Sequence, residues 1–241
     1  MKLSCIGCGP GDPDLLTVKA VDRIKEAQII FAPTSKIGKP SIALSIVQKY
    51  LKEDVATVDL VFPMTKDKDL LKTQWKDNAG QLARSVLEGK RTVYLTVGDP
   101  SLYSTWIYMH REMVKNYKNI EIEIIPGIPS MFAFAAGARI SLAEGEETVG
   151  IVPACYDMDR IKRTASSCDN LIFLKDGRYF DSVIQMLSEA GFDDESRIII
   201  AQDVSSNSEI MKKAKLGDLK NFKTQSSKYF SIMVAKKNDK S

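Results

Sequence analysis

The sequence predicts an α/β protein of two dissimilar α/β domains, an N-terminal five-stranded parallel sheet and a C-terminal mixed sheet. Two observations carry this expectation, and a third places the boundary. Over the first two-thirds of the 241 residues, apolar strand patterns alternate with helical patterns, as in β-α units wound into a parallel sheet. The last strand patterns follow one another without enough residues for crossover helices, which favours antiparallel pairing. The polar connector SLAEGEET (141–148) separates the two regimes. The expected domains are therefore 1–140 and 141–241.

LSCIG (3–7) is a short apolar strand. PDLLTVKAVDRIKEA (13–27) has helical spacing through Leu16, Ala20, Ile24 and Ala27, with Pro13 near its start. QIIFAP (28–33) is a second strand, stopped by Pro33, and SIALSIVQKYL (41–51) is a helix capped by Ser41. ATVDLVF (56–62) is a third strand. LLKTQWKDNAGQLARSVLEGK (70–90) is a long amphipathic helix with Gly89 near its end. TVYLTV (92–97) is almost wholly apolar, as at the centre of a parallel sheet. A helix over about 102–117 and the strand IEIEIIPG (120–127) complete the first series. IPSMFAFAAGA (128–138) is a small-residue helix. Strand patterns then recur at 149–154, 170–176, 197–203, 208–216 and 229–237.

With 27% charged and 44% hydrophobic residues and a net charge of +3, the composition is that of an ordinary globular protein. Basic and acidic residues are mixed, which argues against a nucleic-acid binder. No apolar run approaches the length of a membrane span, and the first residues reach glycine too early for a signal-peptide core. A cytoplasmic protein is expected.

Cys5 and Cys8 form a Cys-x-x-Cys, but Cys5 lies inside a strand and Cys8 in the loop beyond, ahead of the helix. A redox motif would place its first Cys at the helix start. Cys155 and Cys168 are too far apart to complete a zinc set, and the single histidine is His110. Packing cysteines and no metal site are expected.

Three strand ends carry Gly and Pro together: GCGPGDP (7–13), GDPSLYST (98–105) and PGIPS (126–130). Ligands of open α/β sheets bind beyond the carboxyl ends of strands. Gly admits a ligand to the backbone and Pro fixes the loop, so the three together suggest a backbone-lined pocket. No loop has the Lys of a P-loop. Gly7 and Gly9 begin a dinucleotide fingerprint, but Gly11 comes one position early and strand two ends without a carboxylate.

GCGPGDPDLLTVKA, VGDPSLYST, PGIPSM and LAEGEE together resemble the tetrapyrrole (corrin/porphyrin) methyltransferase family. The resemblance runs from residue 3 to YFSIMVAKK (229–237). DLVFPMTKD (59–67), Trp75, GDPSLYST, LAEGEE and YFS look more like the branch that methylates carbon 20 of precorrin-2 or cobalt-precorrin-2 in cobalamin synthesis. Relatives acting elsewhere usually follow the second motif with Tyr-Gly-Ala or Phe-Gly-Arg, whereas this chain has Tyr103-Ser104-Thr105. The resemblance implies S-adenosyl-methionine as cofactor, a tetrapyrrole substrate, a homodimer, and a cofactor cleft between two domains. It assigns cofactor contacts to Pro10, Gly98, Asp99, Pro100, Leu102, Ser104, Thr105, Pro129, Ser130, Leu174 and Gln202. Asp176 departs from the apolar residue usual in relatives.

A sulfonium methyl is already activated, so the enzyme's task is alignment and exclusion of water. Methylated carbon 20 must lose a proton. Asp99, Glu144 and Glu146 are candidate acceptors, with loop-shaping hydrogen bonds the alternative for Asp99. The carboxylate-rich substrate needs cations. Arg139, Arg160, Arg163 and Arg178 are candidates, and Met64 and Tyr103 are candidate substrate contacts. A solvated surface position is the alternative for each arginine, and core packing for Met64. His110 is read as a packed or exposed helical residue. The rival readings are methylation of another corrinoid position or of uroporphyrinogen, diphthine synthesis, and a binding module without catalysis.

Overall fold

A computed structural model describes residues 2–36, 38–153, 157–174, 179–206, 208–219 and 232–237. The chain divides into two units, Met1–Ser130 and Met131–Ser241.

The first unit contains β1 (Lys2–Gly7), α1 (Val18–Glu26), β2 (Ile29–Thr34), α2 (Ile42–Val47), β3 (Ala56–Val61), α3 (Lys68–Leu87), β4 (Thr92–Thr96), α4 (Trp106–Asn116) and β5 (Glu121–Ile125). Its five strands are all parallel, in the order β3-β2-β4-β1-β5. The chain steps one way from β1 to β2 and β3, then back through β4 to β5. Right-handed crossovers then place α1 and α2 on one face and α3 and α4 on the other. Side chains alternate to match. Leu3, Cys5 and Tyr94 pack with α3 and α4, and Ile6, Val93 and Leu95 with α1 and α2. Trp106, Met109 and Met113 give α4 an i, i+3, i+7 stripe that is almost wholly buried. Each such side chain contributes about 1.5–3 kcal/mol.

The helix expected over 13–27 is shorter. Asp12 accepts the Asp14 amide at 2.8 Å to cap a single 3-10 turn at Pro13–Leu15. Thr17 then caps α1 by accepting the Ala20 amide. Asp67 starts α3 earlier than expected by accepting the Asp69 and Leu70 amides. The helix expected from 102 begins at Trp106, because the preceding residues form a loop. Glu123 of β5 ties that strand to β1 and α1. Its carboxylate meets Arg23 Nε at 2.9 Å, Lys19 Nζ at 2.8 Å and Lys2 Nζ at 3.3 Å. The Arg23 hydrogen bond leads these in lowering its pKa to about 2.

α5 (Ser130–Ala138) leads into the second unit, so the expected boundary at 140/141 falls just beyond this helix. There follow β6 (Val149–Pro153), α6 (Met158–Ser167), β7 (Asn170–Leu174), α7 (Phe180–Glu189), β8 (Arg197–Gln202), β9 (Ile210–Lys215), α8 (Leu216–Leu219) and β10 (Ile232–Lys236). The sheet order is β6-β7-β10-β8-β9. Only β6 and β7 pair in parallel, so the sheet is mixed, as expected. α6 and α7, absent from the sequence reading, bury Ile161, Ala165, Val183, Ile184 and Leu187 against one face. Among the described residues, no helix is long and apolar enough to cross a membrane.

Candidate functional site

β4, β1 and β5 are neighbours in one parallel sheet, so the three Gly/Pro loops leave the same edge. α1 departs from β1 towards β2 on one face, and α4 from β4 towards β5 on the other. That reversal is the switch point at which open α/β sheets bind ligands.

The loops meet backbone to backbone. A Cβ on Gly7 would lie 2.5 Å from Gly127 N and 2.7 Å from Gly98 O, and one on Gly127 would lie 2.3 Å from Gly98 O. Neither site has room for a side chain. Gly9 and Gly98 exchange two hydrogen bonds, of 3.2 and 2.7 Å, and both have positive φ, +73° and +71°. At Gly98 a Cβ would meet nothing within 4 Å. Its backbone therefore faces open space, which suits a ligand lying against the main chain.

Asp99 clamps the second loop. Its Oδ1 accepts from the amide and hydroxyl of Ser101, and its Oδ2 accepts the Gly127 amide at 2.9 Å. Partial burial pushes its pKa up, but the bonds from Ser101 and Gly127 outweigh that and hold the carboxyl below its usual range. With both oxygens engaged, Asp99 is a poor proton acceptor and a good loop anchor.

Ser104 and Thr105 turn back onto β4. Thr96 Oγ1 and Ser104 Oγ are 2.8 Å apart, as are Tyr94 Oη and Thr105 Oγ1. Between the two ends of the loop, Tyr103 adopts φ +49° and is 42% exposed. Pro100 is buried, and Pro10, Leu102, Pro129 and Ser130 are half-buried. The first-unit cofactor candidates thus gather at the carboxyl ends of β4, β1 and β5.

In the second unit, Leu174 ends β7 and Gln202 ends β8. Leu174 pairs with Ile232 of β10, which pairs with Ala201, so both candidates lie at one end of the sheet. Arg139 follows α5 with φ +55° and is exposed, as are Arg160 and Arg163 on α6. Arg178, Asp176 and Cys155 lie outside the described residues. Glu144 and Glu146 are exposed. The carboxylate that orders their turn is Glu147, which the sequence reading did not single out. Its Oε2 accepts the Glu144 amide at 3.0 Å and Asn170 Nδ2 at 2.9 Å. Met64 is 75% exposed beyond β3, so core packing does not account for it. His110 is half-buried, with its ring 5.7 Å from that of Trp106.

Cys5 and Cys8 are fully buried, on opposite faces of the sheet. Cys8, just beyond the end of β1, is a core residue. Burial pushes both thiols up, Cys8 to about 12, so neither is a ready thiolate. Among the described residues, no group of three His, Cys, Asp or Glu side chains is placed to hold a metal.

The sequence reading did not single out Tyr94 and Thr96, whereas Gly7 and Gly127 lie within the loops it read as a backbone-lined pocket. A signal existed for the glycines, since each sits at a strand end beside a Pro-containing loop. None existed for Tyr94 and Thr96, which read as ordinary strand residues.

A doubly wound sheet with a backbone-lined switch point is the architecture of the α/β domains that bind small ligands beyond their strand ends. The chain belongs to the tetrapyrrole (corrin/porphyrin) methylases, whose family model matches residues 2–220. It is accordingly a methyltransferase that uses S-adenosyl-methionine. It is 35% identical over 231 residues to a probable cobalt-precorrin-2 C(20)-methyltransferase of Methanocaldococcus jannaschii, covering 92% of this chain and 97% of that protein. It is 32% identical to the cobalt-precorrin-2 C(20)-methyltransferase of Salmonella typhimurium, covering 79% of each. A precorrin-2 C(20)-methyltransferase of Sinorhizobium is 28% identical, also over 79% of each. The fold matches a cobalt precorrin-4 methyltransferase (TM-score 0.74, 21% identity, 98% of this chain and 94% of that one). It also matches a uroporphyrin-III C-methyltransferase of Thermus thermophilus solved with S-adenosyl-homocysteine (TM-score 0.68, 17% identity, 98% and 97%).

Proposed function

We propose that this protein methylates carbon 20 of precorrin-2 or its cobalt complex in cobalamin biosynthesis. The observation that carries the reading is the 35% identity to a protein named for that reaction, along nearly the full length of both chains. Similarity to a cobalt-precorrin-4 C(11)-methyltransferase of Priestia megaterium is lower, 29% over 63% of this chain, which ranks the rival position second. A cytoplasmic homodimer is part of the proposal.

Bound S-adenosyl-methionine supplies an activated sulfonium methyl. The first unit holds it against the main chain of Gly98, with Pro10, Pro100, Leu102, Pro129 and Ser130 around the loops. Asp99 and the stacked glycines keep that surface rigid, so the protein contributes mainly alignment. Leu174 and Gln202 are the contacts proposed from the second unit. Asp99 is assigned to the loop, so Glu144 and Glu146 are the proposed acceptors for the proton leaving carbon 20. Tyr103, Met64, Arg139 and Arg178 are the proposed substrate contacts.

The test is incubation with methyl-labelled S-adenosyl-methionine and either metal-free or cobalt-bearing precorrin-2. Label at carbon 20 is expected, and the ratio of the two rates identifies the natural form. Label at another carbon would reassign the position. Label in elongation factor would move the protein to diphthine synthesis, and cofactor binding without transfer to any tetrapyrrole would make it a binding module.

A further inference from the structure

β4 carries three buried hydroxyls on its α3/α4 face. Thr92 pairs with Ser85 of α3 at 2.9 Å, whereas the other two, Tyr94 and Thr96, lie towards the carboxyl end of the strand. Tyr94 is fully buried and Thr96 is 4% exposed. A core needs neither hydroxyl, since Phe and Val fill nearly the same volumes, and a buried hydroxyl pair adds little net stability over an apolar pair of the same shape. What a hydrogen bond adds is direction. Both bonds run to consecutive residues at the exit of the cofactor loop, Thr105 and Ser104, each at 2.8 Å. Ser104 Oγ also accepts the Trp106 amide at 3.1 Å, which joins the pairing to the first turn of α4.

The entry of the same loop is fixed independently, by the Gly9–Gly98 bridge and by Asp99. Between the two fixed ends lies Tyr103, in a left-handed conformation that costs a non-glycine residue energy. Such a conformation persists only where the surroundings over-determine it.

We infer that Tyr94 and Thr96 are positioning residues, a buried latch that holds residues 99–103 in the shape the cofactor and substrate meet. Neither touches the ligand. They act through Ser104 and Thr105, whose hydroxyls face β4 and are already engaged. The inference rests on the reading of 98–105 as a cofactor loop. It deepens that reading by giving Ser104 and Thr105 a role other than direct side-chain contact.

The test uses the full chain carrying Tyr94→Phe and Thr96→Val together, which removes the latch from the strand side and leaves every loop residue in place. Binding of S-adenosyl-homocysteine is measured by calorimetry, methyl transfer by initial rates, and stability by thermal unfolding. Affinity is expected to fall about tenfold, with a matching rise in KM for S-adenosyl-methionine, since small displacements of positioning groups are costly. The unfolding midpoint should fall by roughly a few degrees, because the hydroxyls of Ser104 and Thr105 lose their strand partners, so affinity is compared well below the transition. Thr96→Ser, which keeps the hydroxyl, should bind like the parent, and Thr96→Val alone should not. If the double variant does not fold, these two single variants carry the test.

Parent-like affinity in Thr96→Val and the double variant would overturn the latch. So would equal losses in Thr96→Val and Thr96→Ser that follow the unfolding midpoint. Asp99→Asn, in the same assay, separates the two levels. If it weakens binding while the latch variants do not, the latch alone fails. If all of them bind like the parent, the loop itself is not the cofactor site.

Discussion

The loop at 98–105 and the connector at 141–148 are both motif-rich turns fixed by side-chain hydrogen bonds, yet the loop adds a main-chain packing that the connector lacks. The loop's entry is packed main chain to main chain, with Gly98 O so near Gly7 and Gly127 that neither of those two glycines could carry a Cβ. The connector is held by side chains. Glu147 accepts the Glu144 amide and the Asn170 amide group, and Lys236, whose side chain is 6% exposed, donates to Ser141 O at 2.9 Å and lies 3.7 Å from Glu147. In each stretch one carboxylate is immobilised, Asp99 or Glu147, and its neighbours are left to solvent or ligand. An acidic residue in a functional motif is therefore not a proton acceptor by default; its hydrogen bonds decide.

The sharpest test of this contrast is to add one methyl group against the loop, from Gly127, and one within the connector. Gly127→Ala forces a Cβ against backbone that cannot yield, at a cost of about 3 kcal/mol or more, and should abolish cofactor binding. Gly145, in the connector, has φ +55° and open space where its Cβ would go. Gly145→Ala should cost only about 1 kcal/mol, from the left-handed backbone alone. Urea unfolding of both variants checks the ratio. Equal losses would erase the distinction between a backbone-packed and a side-chain-held turn.

Acid gives a smaller effect on the same contrast. The bond from Asn170, then that from the Glu144 amide, lowers the Glu147 pKa. A carboxyl lowered on folding stabilises above its ordinary titration range, and that stabilisation is lost as pH falls through the lower folded value. The Glu144 amide should then lose hydrogen-exchange protection, while the Gly98 amide, bonded to Gly9 O at 2.7 Å, should keep it. Glu147→Gln at neutral pH should likewise lower the Glu144 protection and leave that of Gly98 unchanged.

How much of this was legible follows from where each signal resides. The strands of the first sheet announce themselves as apolar runs, and the Gly/Pro clusters at three strand ends mark the site. Their convergence depends on β4, β1 and β5 being adjacent, which no local pattern encodes. α7 carries Phe180, Val183, Ile184 and Leu187 at helical spacing and was available to the reader. α6 buries only Ile161 and Ala165 and was not. A hydroxyl's identity does not reveal its direction, which is why Ser104 and Thr105 read as ligand contacts although their side chains point to β4. Met64 likewise reads as core or contact, and only its exposure separates the two.

The smallest expected effect concerns the cysteines beside the glycines in CIGCGPG. If the loop region works through main-chain shape, its thiols are packing groups. Cys5→Ala with Cys8→Ala removes two buried sulfur atoms from opposite faces of the sheet. Each deletion leaves a small void, at about 1 kcal/mol per site. Well below the unfolding transition, affinity for S-adenosyl-homocysteine and the transfer rate should stay within about twofold of the parent, because an error of that size lies below half a kcal/mol. A thiol in redox or metal chemistry would have to ionise, and burial opposes that at both sites. A large loss of activity in a folded double variant, with metal released from the parent on denaturation, would reverse the contrast and make the cysteines, not the glycines, the functional part of the stretch.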